Sequence, residues 1–138
     1  MKSILSCVVL LAMAAQASHA QKATADHKDG HYNISAAKAK ELVSRFKKAK
    51  KPIVILDIRT PEEHAGSHIE GALLVDFLAD DFKASLGKLD RKKAYLVHCR
   101  SGGRSSSAFA LMKRLGFKSV YHLDGGIIAW KKAGGVTK

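Results

Sequence analysis

Cysteine is scarce in this chain, which limits what can hold its fold together. The 138 residues contain 2 cysteines, Cys7 and Cys99, and Cys7 lies in an apolar stretch near the N-terminus. Small secreted scaffolds that depend on several disulfides are therefore excluded. A lone thiol in the body of a chain is either a reactive group or an inert buried side chain, and the neighbours of Cys99 decide between these roles.

Proline and long apolar runs are scarce as well. With 2 prolines and a hydrophobic content of 46%, the composition is that of a folded protein and not of a disordered one. No apolar run reaches the roughly 20 residues that a membrane-spanning helix needs, so we expect no stable membrane insertion. The length suits one globular domain, because a hydrophobic core usually serves a unit of roughly 100–150 residues.

The N-terminus has the three-part layout of a secretory signal peptide. A basic start at Lys2 is followed by an apolar run from Ile4 to Ala15, and small residues precede a cleavage position after Ala20. We expect residues 1–20 to be removed and the mature protein to be exported, either to the periplasm or into the medium. Cys99 is then the single cysteine left, so no intramolecular disulfide can form.

The rest of the chain divides into a polar leader and one domain. Residues 21–33 are predicted to form a linker, and residues 34–138 are predicted to form the domain. His27 and His31 have the spacing of two metal ligands on one helical face, but Gly30 between them disfavours a helix. We therefore predict an ordinary leader, and we predict no metal site in the protein.

Positive charge is in excess over negative charge. The whole chain has 24 basic and 12 acidic side chains, and loss of Lys2 with the signal peptide leaves a mature charge of +11. Such a balance is typical of nucleic-acid-binding proteins, but export and the lack of a nucleic-acid-binding motif argue against that class. The excess charge still suits the attraction of small anions.

Short apolar runs alternate with helical patterns along the domain. The runs that indicate strands are "PIVILDIR" (Pro52 to Arg59), "GALLVDF" (Gly71 to Phe77), "AYLVHC" (Ala94 to Cys99) and "SVYHL" (Ser119 to Leu123). Helical patterns cover Ser35 to Lys48, Pro61 to Gly66, Leu78 to Leu86, Ser105 to Leu115 and Gly125 to Ala133. Uninterrupted apolar runs are typical of strands buried on both faces. The alternation predicts an α/β domain with a mainly parallel central sheet flanked by helices on both faces.

Cys99 lies where one predicted strand is followed by a helix, and ligand sites of parallel sheets gather at such strand ends. Gly102 and Gly103 allow the backbone to curl and to turn its N–H groups inward. Such donors at a helix start bind anions, so they lower the pKa of a thiol held there and make it nucleophilic. Arg100 and Arg104 add positive charge that suits an oxyanion substrate. We therefore predict that Cys99 is a catalytic nucleophile in an anion-binding loop.

Two enzyme chemistries use a cysteine thiolate in such a loop. Protein tyrosine phosphatases have one residue more between their Cys and Arg than the four that separate Cys99 from Arg104. The smaller ring is better suited to one extra sulfur atom than to a phosphoryl group. A cysteine phosphatase or arsenate reductase is thus an alternative that the spacing disfavours, and a binding module that carries a persulfide with little turnover is a third.

Three motifs, in this order along the chain, resemble the signatures of rhodanese-like sulfurtransferases. "LDIRTPEEHAGSHIEGALLV" (Leu56 to Val75) is similar to the family's Asp-x-Arg, Glu and His-Ile-x-Gly-Ala pattern. "CRSGGR" (Cys99 to Arg104) resembles its Cys-x-x-Gly-x-Arg loop, and "LDGGIIAWKKAG" (Leu123 to Gly134) resembles its Gly-Gly-x-x-Ala-Trp ending. His64 and Ser67 depart from the family pattern at positions away from the loop.

The resemblance implies a rhodanese-like fold with a sheet of about five strands and a two-step sulfur transfer. Cys99 is expected to take the outer sulfur of a small anionic donor such as thiosulfate and to carry it as a persulfide to cyanide or a thiol acceptor. Neither a metal nor an organic cofactor is required. The loop residues expected to bind the donor and the persulfide are Arg100, Ser101, Gly102, Gly103, Arg104 and Ser105.

Supporting roles are expected for residues outside the loop. Asp57 and Arg59, at the end of an earlier strand, are expected either to brace the catalytic loop or to pair with Glu63 or Glu70. His98 directly precedes the nucleophile, but adjacent side chains of a strand point to opposite faces. A buried or interface imidazole is therefore expected at His98 in preference to a general base.

Overall fold

Strands and helices alternate along residues 29–138, the part of the chain that the computed structural model describes. The strands are β1 (Gly30–Ile34), β2 (Ile53–Asp57), β3 (Leu73–Leu74), β4 (Ala94–His98) and β5 (Ser119–Leu123). The helices are α1 (Ala36–Lys48), α2 (Pro61–Gly66), α3 (Phe82–Gly87), α4 (Gly103–Arg114) and α5 (Gly126–Lys132). The predicted signal peptide, residues 1–20, and residues 21–28 of the predicted leader lie outside the described residues.

The five strands form one sheet in the order β1-β5-β4-β2-β3, and every neighbouring pair is parallel. This confirms the predicted α/β fold with its parallel sheet. Strand β4 is at the centre, so the loop that follows it lies between the loops that follow β2 and β5 at the carboxyl edge of the sheet.

Side chains of β4 alternate between two hydrophobic cores, which explains its uninterrupted apolar sequence. Tyr95 and Val97 belong to one cluster, to which α3 and α4 contribute, whereas Leu96 belongs to the other, to which α1 and α5 contribute. All five residues of the strand are buried. The helices therefore cover both faces of the sheet, as the sequence predicts.

The predicted extent of the leader is wrong at its C-terminal end. Residues 30–33 are not a linker, because they form most of β1 and pair in register with β5, with Asn33 beside His122. This strand lies at one edge of the sheet and is only partly buried, so its polar sequence lacks the apolar run of the inner strands. The domain therefore includes Gly30.

Element ends differ from the predictions where turns replace regular structure. β3 keeps only two of the residues in "GALLVDF", at the other edge of the sheet. Asp76 accepts a hydrogen bond from the Leu78 N–H, and the turn that it forms delays α3 until Phe82. Helix α4 begins at Gly103, earlier than the predicted Ser105. Across the described residues, none of the helices has the length and apolar character that a membrane crossing requires.

Candidate active site

Cys99 directly follows the central strand β4 and begins the turn into α4. The residue is 1% exposed, so its thiol is buried at the carboxyl edge of the sheet and does not lie on the surface. Gly102 caps the N-terminus of α4 with a φ of 114°, a left-handed conformation that favours glycine. The predicted six-residue loop is therefore a short turn followed by the first residues of a helix.

The sulfur of Cys99 accepts hydrogen bonds from this turn. The Gly102 N–H donates to Sγ over 3.1 Å, and the Ser105 hydroxyl lies 3.3 Å from Sγ. Burial raises the pKa of the Cys99 thiol, but the Ser105 hydroxyl and the N–H groups of Ser105, Gly102 and Ser101 outweigh burial and lower the pKa below its ordinary value. The arrangement stabilises a thiolate, which is the nucleophilic form of cysteine.

The Gly-Gly segment at the start of α5, Gly125 and Gly126, supports the catalytic turn from the other side. The N–H of Ile127 donates to the Cys99 carbonyl over 3.0 Å, and the N–H of Ile128 donates to the Arg100 carbonyl over 3.2 Å. Gly126 has a φ of 61°, and a Cβ at this position would overlap the Arg100 carbonyl. The third motif thus positions the backbone of the first two loop residues.

Arg104 does not point its terminal nitrogens at the sulfur, because they bind the carboxylate of Glu63. Nη1 lies 2.8 Å from Oε2 and Nη2 lies 2.9 Å from Oε1. The hydrogen bonds from Arg104 lower the pKa of Glu63 to about 2, and this carboxylate in turn raises the pKa of Arg104. Arg100, in contrast, is exposed and carries the loop's available guanidinium.

Asp57 and Arg59 pair with each other, which corrects the expected pairing with Glu63 or Glu70. Arg59 Nη2 lies 2.7 Å from Asp57 Oδ2 and also donates to the Ser67 carbonyl. Both side chains are buried. Burial raises the pKa of Asp57, but the Arg59 hydrogen bonds, the nearby His98 and the hydrogen bond with His64 together outweigh burial and lower the pKa to about 2. The pair thus connects the residues before α2 with Ser67, which follows the helix.

The carboxylates of Glu63 and Glu70 pair with residues other than Arg59. Glu63 lies in the first turn of α2, opposite Arg104, and Glu70 pairs with Lys138 over 2.9 Å. Neither pairing follows from local spacing, since each joins residues that are far apart in the sequence.

His98 is a buried imidazole, as predicted. Its Nδ1 lies 3.0 Å from the Cys99 carbonyl oxygen, and the residue is fully buried. Burial lowers the pKa of His98 and favours the neutral ring. The contact is with the backbone of Cys99 and not with its sulfur.

Two residues that the sequence analysis missed reach the site from neighbouring strands. His122 of β5 places Nε2 at 2.7 Å from Ser105 Oγ, and its Nδ1 lies 2.9 Å from Oδ1 of Asn33 in β1. The available signal was a histidine within an otherwise apolar run, near the carboxyl end of the strand beside β4. Asn33 gave no comparable signal, because it stood in a segment that resembles a linker.

Residues 38–133 match the family described as the rhodanese-like domain. The chain belongs to this family. A rhodanese-related protein of Thermoplasma volcanium has a similar structure, with a TM-score of 0.67 and 25% identity over 78% of this chain and 98% of that one. The match agrees with the parallel five-stranded sheet described above.

Curated relatives of this rhodanese-like protein include enzymes named for sulfur transfer. It is 38% identical over 79 residues to the thiosulfate sulfurtransferase GlpE of Pseudomonas entomophila, covering 56% of this chain and 70% of that protein. It is 35% identical over 82 residues to a sulfurtransferase of Allochromatium vinosum, covering 59% and 75%. It is 36% identical over 80 residues to the probable adenylyltransferase/sulfurtransferase MoeZ of Mycobacterium tuberculosis, and the match covers 20% of the length of that protein.

Proposed function

We propose that this rhodanese-like protein is an exported sulfurtransferase that moves a sulfane sulfur from thiosulfate to cyanide or a thiol through a persulfide on Cys99. The observation that carries the proposal is the contact of Cys99 Sγ with the Gly102 N–H and the Ser105 hydroxyl at the start of α4. These donors lower the pKa of the Cys99 thiol and so favour its nucleophilic thiolate form. The names of the Pseudomonas and Allochromatium relatives support the sulfur-transfer class.

In the first step the Cys99 thiolate attacks the outer sulfur of thiosulfate. A bond forms between Sγ and that sulfur, the sulfur–sulfur bond of thiosulfate breaks, and sulfite leaves with the electron pair. The terminal sulfur of the resulting persulfide is an anion, for which the N–H groups at the start of α4 are suitable donors. The turn therefore serves both the attacking thiolate and the covalent intermediate.

In the second step a nucleophilic acceptor attacks the terminal sulfur of the persulfide. Cyanide leaves as thiocyanate, whereas a thiol acceptor leaves as a persulfide, and in both cases the Cys99 thiolate is regenerated. The reaction is a covalent double displacement, in which one product leaves before the acceptor reacts. Sulfur changes partners without a metal or an organic cofactor.

Thiosulfate is the preferred donor on electrostatic grounds. The exposed Arg100 follows the nucleophile directly and provides a cation for a dianionic donor. The mature charge of +11 raises the local concentration of anions around the protein. A neutral or zwitterionic donor would gain little from either feature.

A thiosulfate:cyanide assay tests the proposed activity. Wild-type protein should form thiocyanate, and Cys99→Ser should form none. Mass spectrometry of thiosulfate-treated protein should find one added sulfur on the peptide that contains Cys99. Phosphatase turnover without thiocyanate formation would replace this proposal with the phosphatase alternative, and a stable sulfur adduct without turnover would favour a sulfur-carrying binding module.

Export is tested separately from chemistry. The full chain, expressed in a Gram-negative bacterium, should appear in the periplasm or the medium with Gln21 as its first residue. Retention of the apolar segment on a protein found in the cytoplasm would contradict this part of the proposal. Replacement of Leu10 by Lys within the apolar run should block processing, because signal peptides need an uninterrupted apolar segment.

A further inference from the structure

A row of four hydrogen-bonded side chains runs from the edge strand β1 to the thiol of Cys99. Asn33 Oδ1 is 2.9 Å from His122 Nδ1, His122 Nε2 is 2.7 Å from Ser105 Oγ, and Ser105 Oγ is 3.3 Å from Cys99 Sγ. His122, Ser105 and Cys99 are buried, whereas Asn33 is exposed. The row thus joins the buried sulfur to the surface through side chains of three different elements.

The partners in the row fix the tautomer of His122. The carbonyl oxygen of Asn33 can only accept, so the proton of the neutral ring is on Nδ1. Nε2 then carries a lone pair and accepts the Ser105 hydroxyl proton over the shortest contact of that hydroxyl. The other contacts of Ser105 Oγ are longer, 3.2 Å to the Gly102 carbonyl and 3.3 Å to Cys99 Sγ.

A serine hydroxyl has one proton and two lone pairs, so this geometry gives it opposite roles in two states of the site. With a neutral His122, Ser105 donates to Nε2 and its oxygen accepts from the thiol of Cys99. With a protonated His122, Nε2–H donates to the Ser105 oxygen and the hydroxyl proton turns to the thiolate. The contacts of Ser105 Oγ with Nε2 of His122 and with Sγ of Cys99 therefore suit both protonation states without movement of heavy atoms.

We propose that His122 is a positioning residue of the sulfur-transfer site, which orients the Ser105 hydroxyl and receives through it the proton that Cys99 loses. The role in turnover rests on the proposed function, but the proton transfer itself needs neither sulfur donor nor acceptor. Asn33 holds the His122 ring in the tautomer that can accept this proton. The thiolate and the imidazolium then form a buried ion pair bridged by a hydroxyl.

The transfer balances within the row. The S–H bond of Cys99 breaks and its electron pair stays on sulfur, while the proton forms a new bond to Ser105 Oγ. The original hydroxyl proton of Ser105 moves to Nε2 of His122, which becomes positively charged as Cys99 becomes negatively charged. The net charge of the four residues does not change, and no oxidant or reductant takes part.

The surroundings of His122 bear on its protonation in both directions. Burial lowers the pKa of His122, and the carboxylate of Asp124, which follows β5, and the backbone of Gly102 oppose this effect. From α4, the ring of Phe109 packs against the imidazole and brings no charge, and from β1 the contact is the neutral amide of Asn33. Cys99, reached through Ser105, is thus the group whose ionisation is directly linked to His122 by hydrogen bonds.

The thiolate absorbance of the full-length protein, measured as a function of pH, tests the relay. Each variant is compared with its own Cys99→Ser counterpart, so that Cys7 and the tyrosines cancel. His122→Phe should raise the apparent pKa of the Cys99 thiol by about one unit, because the proton acceptor is lost. The matched control is His31→Phe, which makes the same chemical change in β1 at a ring that also contacts Phe109, and it should leave the titration unchanged.

Replacement of the exposed Asn33 gives a change of sign that a purely structural role would not give. Asn33→Asp places a carboxylate next to Nδ1 of His122, and this negative charge stabilises the imidazolium. The pKa of the Cys99 thiol should therefore fall below that of wild type. When Asn33→Asp is added to His122→Phe, the same carboxylate can only repel the thiolate, so the pKa of the Cys99 thiol should rise above that of His122→Phe alone. The proposal is overturned if Asn33→Asp raises the pKa of the Cys99 thiol in both backgrounds, or if His122→Phe leaves that pKa unchanged. If His122→Phe does not fold, the sign of the shift caused by Asn33→Asp alone decides.

The two proposals fail in different experiments. Titrations that follow the expected signs, in a protein that forms no thiocyanate, would leave the relay standing and remove the sulfurtransferase activity. Thiocyanate formation with titrations that are insensitive to His122 and Asn33 would remove the relay alone. Ser105 would then act on Cys99 only as a hydrogen-bond donor.

Discussion

The guanidinium of Arg104 and the carboxylate of Glu63 form a two-pronged ion pair, with both nitrogen–oxygen distances below 3 Å. The pair joins the first turn of α4, where Sγ of Cys99 is held, to the first turn of α2. Glu63 also closes a capping box with Thr60, whose N–H donates to the same carboxylate. The arginine end of the catalytic turn is therefore fixed from outside the turn.

Glu63→Gln should loosen this connection and lower the sulfur-transfer kcat/KM about tenfold, since small displacements of catalytic groups reduce rates strongly. The free energy of unfolding should fall by no more than about 1 kcal/mol, because the pair is partly exposed. Glu62→Gln is the matched control, because Glu62 is the exposed neighbour in the same turn. Steady-state kinetics and urea unfolding check both values, and equal effects of the two variants would contradict the special role of Glu63.

Acid should weaken the fold in a defined range of pH. The pKa of Glu63 falls from 4.5 to about 2 on folding, and that of Asp57 falls from 3.8 to about 2. Because the unfolded chain binds these protons first, the stabilisation is present above the unfolded pKa values and is lost as pH falls towards about 2. Urea unfolding at a series of acid pH values should show this loss, with a shallower slope in Glu63→Gln. A free energy of unfolding that stays constant over this range would disprove the linkage.

The inner strands could be predicted from the sequence because both of their faces are buried. Leu96 and Val97 of β4 contribute to different cores, so an uninterrupted apolar run is required there. The edge strand β1 was not predicted, because it is only partly buried. Its exposed positions need no apolar side chain, so its sequence is polar and includes His31 and Asn33.

The catalytic turn could be located from local spacing, whereas its supporting contacts could not. Cys99, Gly102 and Arg104 are close in the sequence, and their order indicates an anion-binding turn. The Glu63–Arg104 pair joins residues 41 positions apart, and the Asn33–His122 contact joins residues 89 positions apart. Such pairs depend on the order of strands in the sheet, which a single sequence does not specify.

Leu96→Ala should destabilise the protein by about 2–5 kcal/mol, because it leaves a cavity at a fully buried position of the central strand. Leu78→Ala removes the same atoms from a side chain that is 64% exposed and should change the free energy of unfolding by less than about 0.5 kcal/mol. Urea unfolding of the two variants checks the difference. Similar losses in both would mean that the strand is not packed as described.

Arg100→Ala should raise the KM for thiosulfate about tenfold and leave the unfolding free energy nearly unchanged, since the side chain is exposed. The effect should shrink as salt is added, because an exposed charge is screened. Arg114→Ala removes an exposed guanidinium from the other end of α4 and serves as the control for net charge. Equal KM values for the two variants would show that Arg100 acts only through the overall charge.

Gly126→Ala should damage the site through the backbone. A φ of 61° is strained for alanine by about 1–3 kcal/mol, and the added Cβ overlaps the carbonyl of Arg100. The turn must shift to make room, which moves the Gly102 N–H away from Sγ of Cys99. We therefore expect a loss of stability, a higher pKa of the Cys99 thiol and a fall in sulfur transfer that exceeds the fall in folded protein.

Gly66→Ala is the matched control for this substitution. Gly66 ends α2 with open space around its Cβ position, so alanine there should change the free energy of unfolding by less than about 1 kcal/mol. Urea unfolding, thiolate absorbance and thiocyanate formation are measured for both variants. A Gly126→Ala protein with a normal thiol pKa and normal turnover would show that the start of α5 does not position the catalytic turn, because the added Cβ meets the carbonyls of Cys99 and Arg100.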